Sequence, residues 1–183
     1  SRDQSVQARR RVTAARRPPK RPAGPVEPLE ARVLMSAAVT AHVNFQPAPA
    51  PVPAGYVADA GRAYGPASGG LTYGWNAAHT ATAVDRNLAL SKDQRYDTFN
   101  TLPTSGAGSV WELALPNGVY QVHVVCGDPA QTGRVCKVNV ENVLTVNTTT
   151  TSTARWAEGT KTITVADGRL TIRARTARSS PAA

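Results

Sequence analysis

A chain of 183 residues, 41% hydrophobic and 18% charged, provides one domain plus tails. Its net charge of +9 is unevenly spread: residues 1–35 carry nine Lys/Arg against three acids, leaving twelve against nine for residues 36–183. No apolar run reaches the ~18 residues that a membrane helix needs, which excludes a helical span of the bilayer.

From the N-terminus, residues 1–41 read as a disordered basic leader, rich in Pro and lacking apolar periodicity. Such an arm attracts nucleic acid, anionic lipid or an acidic polymer. The alternative is a basic leader of an exported protein that is removed or stays solvated. Val33-Leu34-Met35 followed by SAAVTA has the order of a secretory signal, although its apolar core is shorter than the usual ~7–15 residues. Residues 28–41 allow a helical turn or two. Pro47, Pro49, Pro51 and Pro53 then make an extended tract that breaks any helix. Residues 55–80, rich in Gly and Tyr, read as loop with brief strand.

Beyond that point, few charges and many Thr, Val and Gly argue for strands joined by turns. Residues 111–128, WELALPNGVYQVHVVCGD, predict a hairpin about Asn117-Gly118, the preferred dipeptide of a two-residue type I′ turn. Folding there sets Leu115 opposite Tyr120, Leu113 opposite Val122 and Trp111 opposite Val124. Glu112, Gln121 and His123 go to the other face. RVCKVNVENVLTV adds one or two strands, and NTTTTSTARW reads as a loop or an edge strand. TITVADGRLTI predicts a second hairpin about Asp167-Gly168, pairing Val165 with Leu170 and Ile163 with Ile172. Short strands at this spacing, without helical patterns between them, indicate an all-β, antiparallel jelly-roll β-sandwich over residues 42–174. A short disordered tail, 175–183, follows.

Cys126 and Cys136 are the only cysteines. Pairing the strand after Tyr120 with the strand after Arg134 sets Val124 against Val138, Val122 against Val140 and Cys126 against Cys136. A disulfide in an oxidising compartment and two small buried hydrophobes are both consistent with that register. Two thiols without an adjacent His make a poor metal site. Asn147-Thr148-Thr149 is a glycosylation sequon, meaningful only in a suitable host.

An ordered series of motifs carries a resemblance. Asn44-Phe45-Gln46-Pro47, Gly55-Tyr56 with Asp59, Tyr73-Gly74-Trp75-Asn76, Asp85-Arg86-Asn87, Asp93 to Asp97 with Thr98, and Trp111-Glu112 to Gly127-Asp128 follow one another over residues 43–172. The series resembles the malectin-like, galactose-binding-like β-sandwich modules of large secreted bacterial proteins. Glu27-Pro28-Leu29-Glu30-Ala31-Arg32-Val33-Leu34-Met35 is similar to the LEPR-xLL segment of exported bacterial proteins, with Ala31 where that pattern has Pro. The resemblance implies a jelly roll that binds carbohydrate without catalysis, secreted or at the cell surface. Such modules close with one more strand after the last hairpin, whereas this chain ends RARTARSSPAA. An exposed edge, an incomplete core and association through that edge are the expected consequences. A structural or adhesive domain with no small ligand, a truncated copy of a larger protein, is therefore the alternative.

Sugar binding needs aromatic faces against C–H surfaces and planar polar groups against hydroxyls. Tyr73, Trp75 and Tyr96, with Arg95, Asp97 and Asp128, are the candidate ligand contacts. Tyr73 and Trp75 flank Gly74, so in an extended chain both rings share one face and make a platform. The same rings equally suit a plug for the end of the sandwich, with Arg95 and Asp97 paired to hold a loop. Tyr56 and Tyr64 fit scaffolding better, and Trp111, Tyr120 and Trp156 fit the core. Catalysis is not expected. Asp93 and Asp97 lack a His partner, the three His are scattered, and no phosphate loop or cofactor motif is present.

Overall fold

The computed structural model describes residues 39–103 and 108–175. The leader with its LEPR-like segment, all but its last three residues, and the tail beyond 175 lie outside the described residues. Twelve strands run in chain order: β1 (Val43–Phe45), β2 (Val57–Asp59), β3 (Gly65–Pro66), β4 (Thr72–Trp75), β5 (Ala83–Asp85), β6 (Thr98–Asn100), β7 (Val110–Ala114), β8 (Gly118–Gly127), β9 (Val135–Val140), β10 (Val143–Thr149), β11 (Trp156–Val165) and β12 (Arg169–Ala174). A single helical turn, α1 (Gln94–Asp97), precedes β6. No helix among the described residues is long and apolar enough to cross a membrane.

The described residues are mostly β. Six strands form one antiparallel sheet in the order β10-β9-β12-β7-β4-β3, and β11 and β8 form a separate antiparallel ribbon. The pairs β5-β6 and β1-β2 are smaller, the latter parallel. Alternation along the strands places Trp111, Leu113, Leu170 and Val140 of the large sheet in one core with Ile163 and Val165 of the ribbon. Tyr120, Val122 and Val124 of β8 pack against that core while remaining only partly buried. Where β11 nears β10, the absent side chain of Gly159 is essential, because a Cβ there would strike the Thr145 carbonyl.

Both expected hairpins are corrected by the pairing. β7 does not pair with β8; it pairs with β12, Leu113 opposite Leu170 and Trp111 opposite Ile172. β8 pairs instead with β11, Tyr120 opposite Ile163 and Val124 opposite Gly159. Each expected turn therefore carries the chain from one sheet to the other. Leu113 and Val122 meet in a shared core across the layers, not as neighbours in a sheet. Neither Asn117 nor Gly118 has positive φ, and of Asp167-Gly168 only Gly168 does, at 81°. Pro116 supplies a reason at the first turn: it has no N–H to close a two-residue hairpin. The two crossings bind one another. Leu115 N donates to Gly168 O at 3.0 Å, Asn117 Nδ2 donates to Ala166 O at 2.9 Å and Gly168 N donates to Asn117 Oδ1 at 2.7 Å.

The two-residue hairpin lies elsewhere, between β9 and β10. Glu141 and Asn142 both have positive φ, 47° and 65°, and Val140 pairs with Val143. Positive φ at both central residues is what a type I′ turn requires, and here it is met without glycine. Cys126 and Cys136 are disulfide-bonded with Cα atoms 6.0 Å apart. The expected register behind that pair does not hold, because β9 lies between β10 and β12 and never pairs with β8. The bridge ties the ribbon to the six-stranded sheet.

Candidate functional site

The expected Tyr73–Trp75 platform faces inward. Tyr73 is 4% exposed and Trp75 2%, because β4 pairs with β7 so that Tyr73 lies opposite Leu113 and Trp75 opposite Trp111. Register with core residues puts both rings on the core face, and Phe45 meets Trp75 and Trp111 edge-on at 5.8 and 5.3 Å. Tyr73 Oη donates to Ala58 O at 2.8 Å, and burial raises its phenol pKa above the ordinary 10.0. At the centre is Asp59, 2% exposed. One carboxylate oxygen accepts from Trp75 Nε1 (3.0 Å) and Gly61 N (2.6 Å), and the other from Trp111 Nε1 (2.6 Å). Every polar atom of both indoles is thereby satisfied, and β2 is pinned over β4 and β7.

Asp97 and Asp128 are also committed internally. Asp97 is buried and accepts from Leu88 N at 3.1 Å and Ser91 Oγ at 2.5 Å, shaping the loop before α1. Asp128 takes both nitrogens of the Arg86 fork, at 3.1 and 2.7 Å, and the N–H of Ala130 at 2.8 Å. The alternative pairing of Arg95 with Asp97 does not occur. Arg95 binds Asp93, at 2.9 and 2.5 Å, and this hydrogen-bonded partner holds the Asp93 carboxyl below its ordinary 3.8.

Arg95 and Tyr96 are the two candidates that stand at the surface together, and they bring residues that the sequence reading assigned elsewhere. The Arg95 guanidinium lies between two rings, 5.9 Å from Tyr56 and 5.8 Å from Tyr96. Tyr96 meets Trp156 edge-on at 5.5 Å, and Trp156 Nε1 donates to Tyr96 O at 3.0 Å. Lys92 sits 4.4 Å from the Tyr96 ring and 3.6 Å from Glu158. Glu158 accepts from Tyr96 Oη at 3.2 Å and lies 3.2 Å from His123 Nε2. Burial, then the Glu158 charge, raises the Tyr96 hydroxyl above 10.0, so the phenol keeps its proton in neutral water.

Strand alternation explains this patch. Trp156 and Glu158 flank buried Ala157, and His123 sits between Val122 and Val124, so all three turn away from the core. The register sets His123 opposite Thr160, one diagonal step from Glu158. The signal was present in Trp156-Ala157-Glu158. The reading of Trp156 as core overlooked that Ala157 takes the inward position. Beside the patch, a cleft of about 880 Å3 runs between β8 and the large sheet, with Trp75, Trp111, Leu113 and Leu170 among its lining and Tyr56, Arg95, Tyr96 and Trp156 at one end. Among the described residues no group of three or more His, Cys, Asp or Glu is placed to hold a metal ion. No protein-family model, curated protein sequence or solved structure matches the chain.

Proposed function

We propose that the protein is a non-catalytic carbohydrate-binding module, with its glycan contacts on the patch of Tyr56, Arg95, Tyr96 and Trp156. The observation that carries this reading is the half-buried Tyr96–Trp156 pair, framed at the surface by Lys92, Glu158, His123 and Arg95. Aromatic surface covers the C–H faces of a sugar ring, and the surrounding charged side chains donate to and accept from its hydroxyls. The expected platform of Tyr73 and Trp75 has no place in it, since both residues are buried.

The same reading takes the two β layers as a malectin-like jelly-roll sandwich of a secreted or cell-surface protein. A disulfide between the layers suits an oxidising compartment. The test is a glycan array followed by titration calorimetry of the best ligand. Trp156→Ala and Tyr96→Ala each weaken binding about tenfold or more, as loss of a central aromatic contact does. A folded protein that binds no glycan, or variants that bind as tightly as the parent, refutes the assignment.

The alternative is a structural or adhesive domain with no small ligand. Normal folding together with concentration-dependent association and no glycan binding would favour it. Nucleic-acid binding through residues 1–35 concerns a segment outside the described residues. Its mark is steep salt dependence that vanishes when those residues are deleted.

A further inference from the structure

β8 is hydrogen-bonded to β11 on one side only; among the described residues no strand pairs with its other edge. The strand is ten residues long, GVYQVHVVCG, and contains no Pro, Lys, Arg, Asp or Glu, the residues that usually guard an edge. Its inward side chains Tyr120, Val122 and Val124 are only partly buried, whereas Leu113, Leu115 and Leu170 behind them are buried. The 880 Å3 cleft lies between these two sets.

We infer that this edge and cleft accept a strand from another polypeptide, an extended segment with alternating apolar side chains and an acidic flank. Three observations specify that occupant. A row of backbone groups along β8 calls for a peptide and not a lipid, since only a backbone returns both donors and acceptors. Apolar residues on one face of the cleft call for apolar side chains at every second position. The charges lining the cleft are Arg86, Arg95, Arg134 and Lys137 against Asp128 alone. Arg86 is matched by Asp128 and Arg95 by Asp93. Arg134, just before β9, and Lys137, within it, have no carboxylate within 4.0 Å among the described residues, and they favour carboxylates on the incoming strand. A second copy of this chain would bring the same cations and is disfavoured for that reason. The glycan patch of Tyr56, Arg95, Tyr96 and Trp156 borders the same cleft, but the inference rests on the unpaired edge of β8 and on Arg134 and Lys137, not on those four residues.

The probe is a fluorescein-labelled ten-residue peptide alternating Val with Thr and ending in two Glu, titrated against the full chain and followed by anisotropy. Saturable binding is expected, weakened about tenfold when the two Glu become Lys. Arg134→Glu combined with Lys137→Glu, both exposed positions, reverses that preference. N-methylation of every second peptide amide abolishes binding in one phase and spares it in the other, because alternate N–H groups point to opposite sides of a strand. Equal effects of the two methylation phases mean simple apolar filling and overturn the proposal. So does the absence of binding by any peptide, whether because a segment of the same chain covers the edge or because a second copy does, which sedimentation would reveal. Peptide binding by a protein that binds no glycan separates failure of the glycan reading from failure of this one.

Discussion

Removing the Asp59 carboxylate tests the centre of the fold. Asp59→Ala strips the acceptor from three buried donors at once: Trp75 Nε1, Trp111 Nε1 and Gly61 N. An orphaned buried donor costs about 1–3 kcal/mol. The desolvation that the carboxylate itself suffers is relieved, so the net loss is about 3–5 kcal/mol. Set against total stabilities of about 5–15 kcal/mol, that leaves a protein close to unfolding. Asp59→Asn separates charge from shape. Its single oxygen serves either Trp111 or the Trp75–Gly61 side, and its amide nitrogen then faces an indole or backbone N–H, donor against donor. One or two donors are orphaned, for a loss of about 2–3 kcal/mol. Urea titration followed by Trp fluorescence measures both, since two of the three tryptophans flank the site. An Asp59→Ala variant within about 1 kcal/mol of the parent, or an Asp59→Asn variant equal to it, would refute the claim that this carboxylate organises β2, β4 and β7.

Other expectations follow from particular contacts. Gly118→Ala is nearly neutral, within about 0.5 kcal/mol, because φ is not positive there and a Cβ meets only Tyr120 at 3.6 Å; Asn117→Ala costs about 1–2 kcal/mol by removing both side-chain hydrogen bonds that link the crossings, and denaturant melts compare the two. Gly159→Ala drives a Cβ into the Thr145 carbonyl and lowers stability by about 2–3 kcal/mol, read as a fall in melting temperature. Reducing Cys126–Cys136, separated by 10 in sequence, lowers unfolding free energy by about 2–3 kcal/mol, measured with and without reductant. Asp93 has a depressed pKa in the fold, so its ion pair with Arg95 contributes above the unfolded carboxylate value and is lost as pH falls through the folded one. Carboxyl NMR titration should place its midpoint below 3.8, and a midpoint at or above that value refutes the pairing.

How much of this was legible in the sequence depends on which question alternation answers. It identified the inward side chains: Trp111, Leu113 and Leu115, then Val122 and Val124, then Ile163, Val165 and Leu170. It was silent on neighbours, because a hairpin and a crossing between layers bring the same apolar faces together. Telling them apart required the missing N–H of Pro116, and noticing that Glu141-Asn142 sits between VCKVNV and VLTV with two-residue spacing. Favourable dipeptides at 117–118 and 167–168 outweighed a poorer one at 141–142, although tertiary pairing decided all three.

The site was lost for a related reason. Tyr73 and Trp75 do share a face, as an extended Tyr-Gly-Trp must, but the facing strand determined that the shared face is the core. Two buried indoles each require an acceptor for a single N–H, and Asp59 lies 16 positions from one and 52 from the other. Nothing local links residues so far apart. Local parity does link Trp156 with Glu158, and His123 to the outer face of its strand. A reading that ranked surface aromatics by the burial of their immediate neighbours, Ala157 above all, would have reached the outward patch before the buried platform.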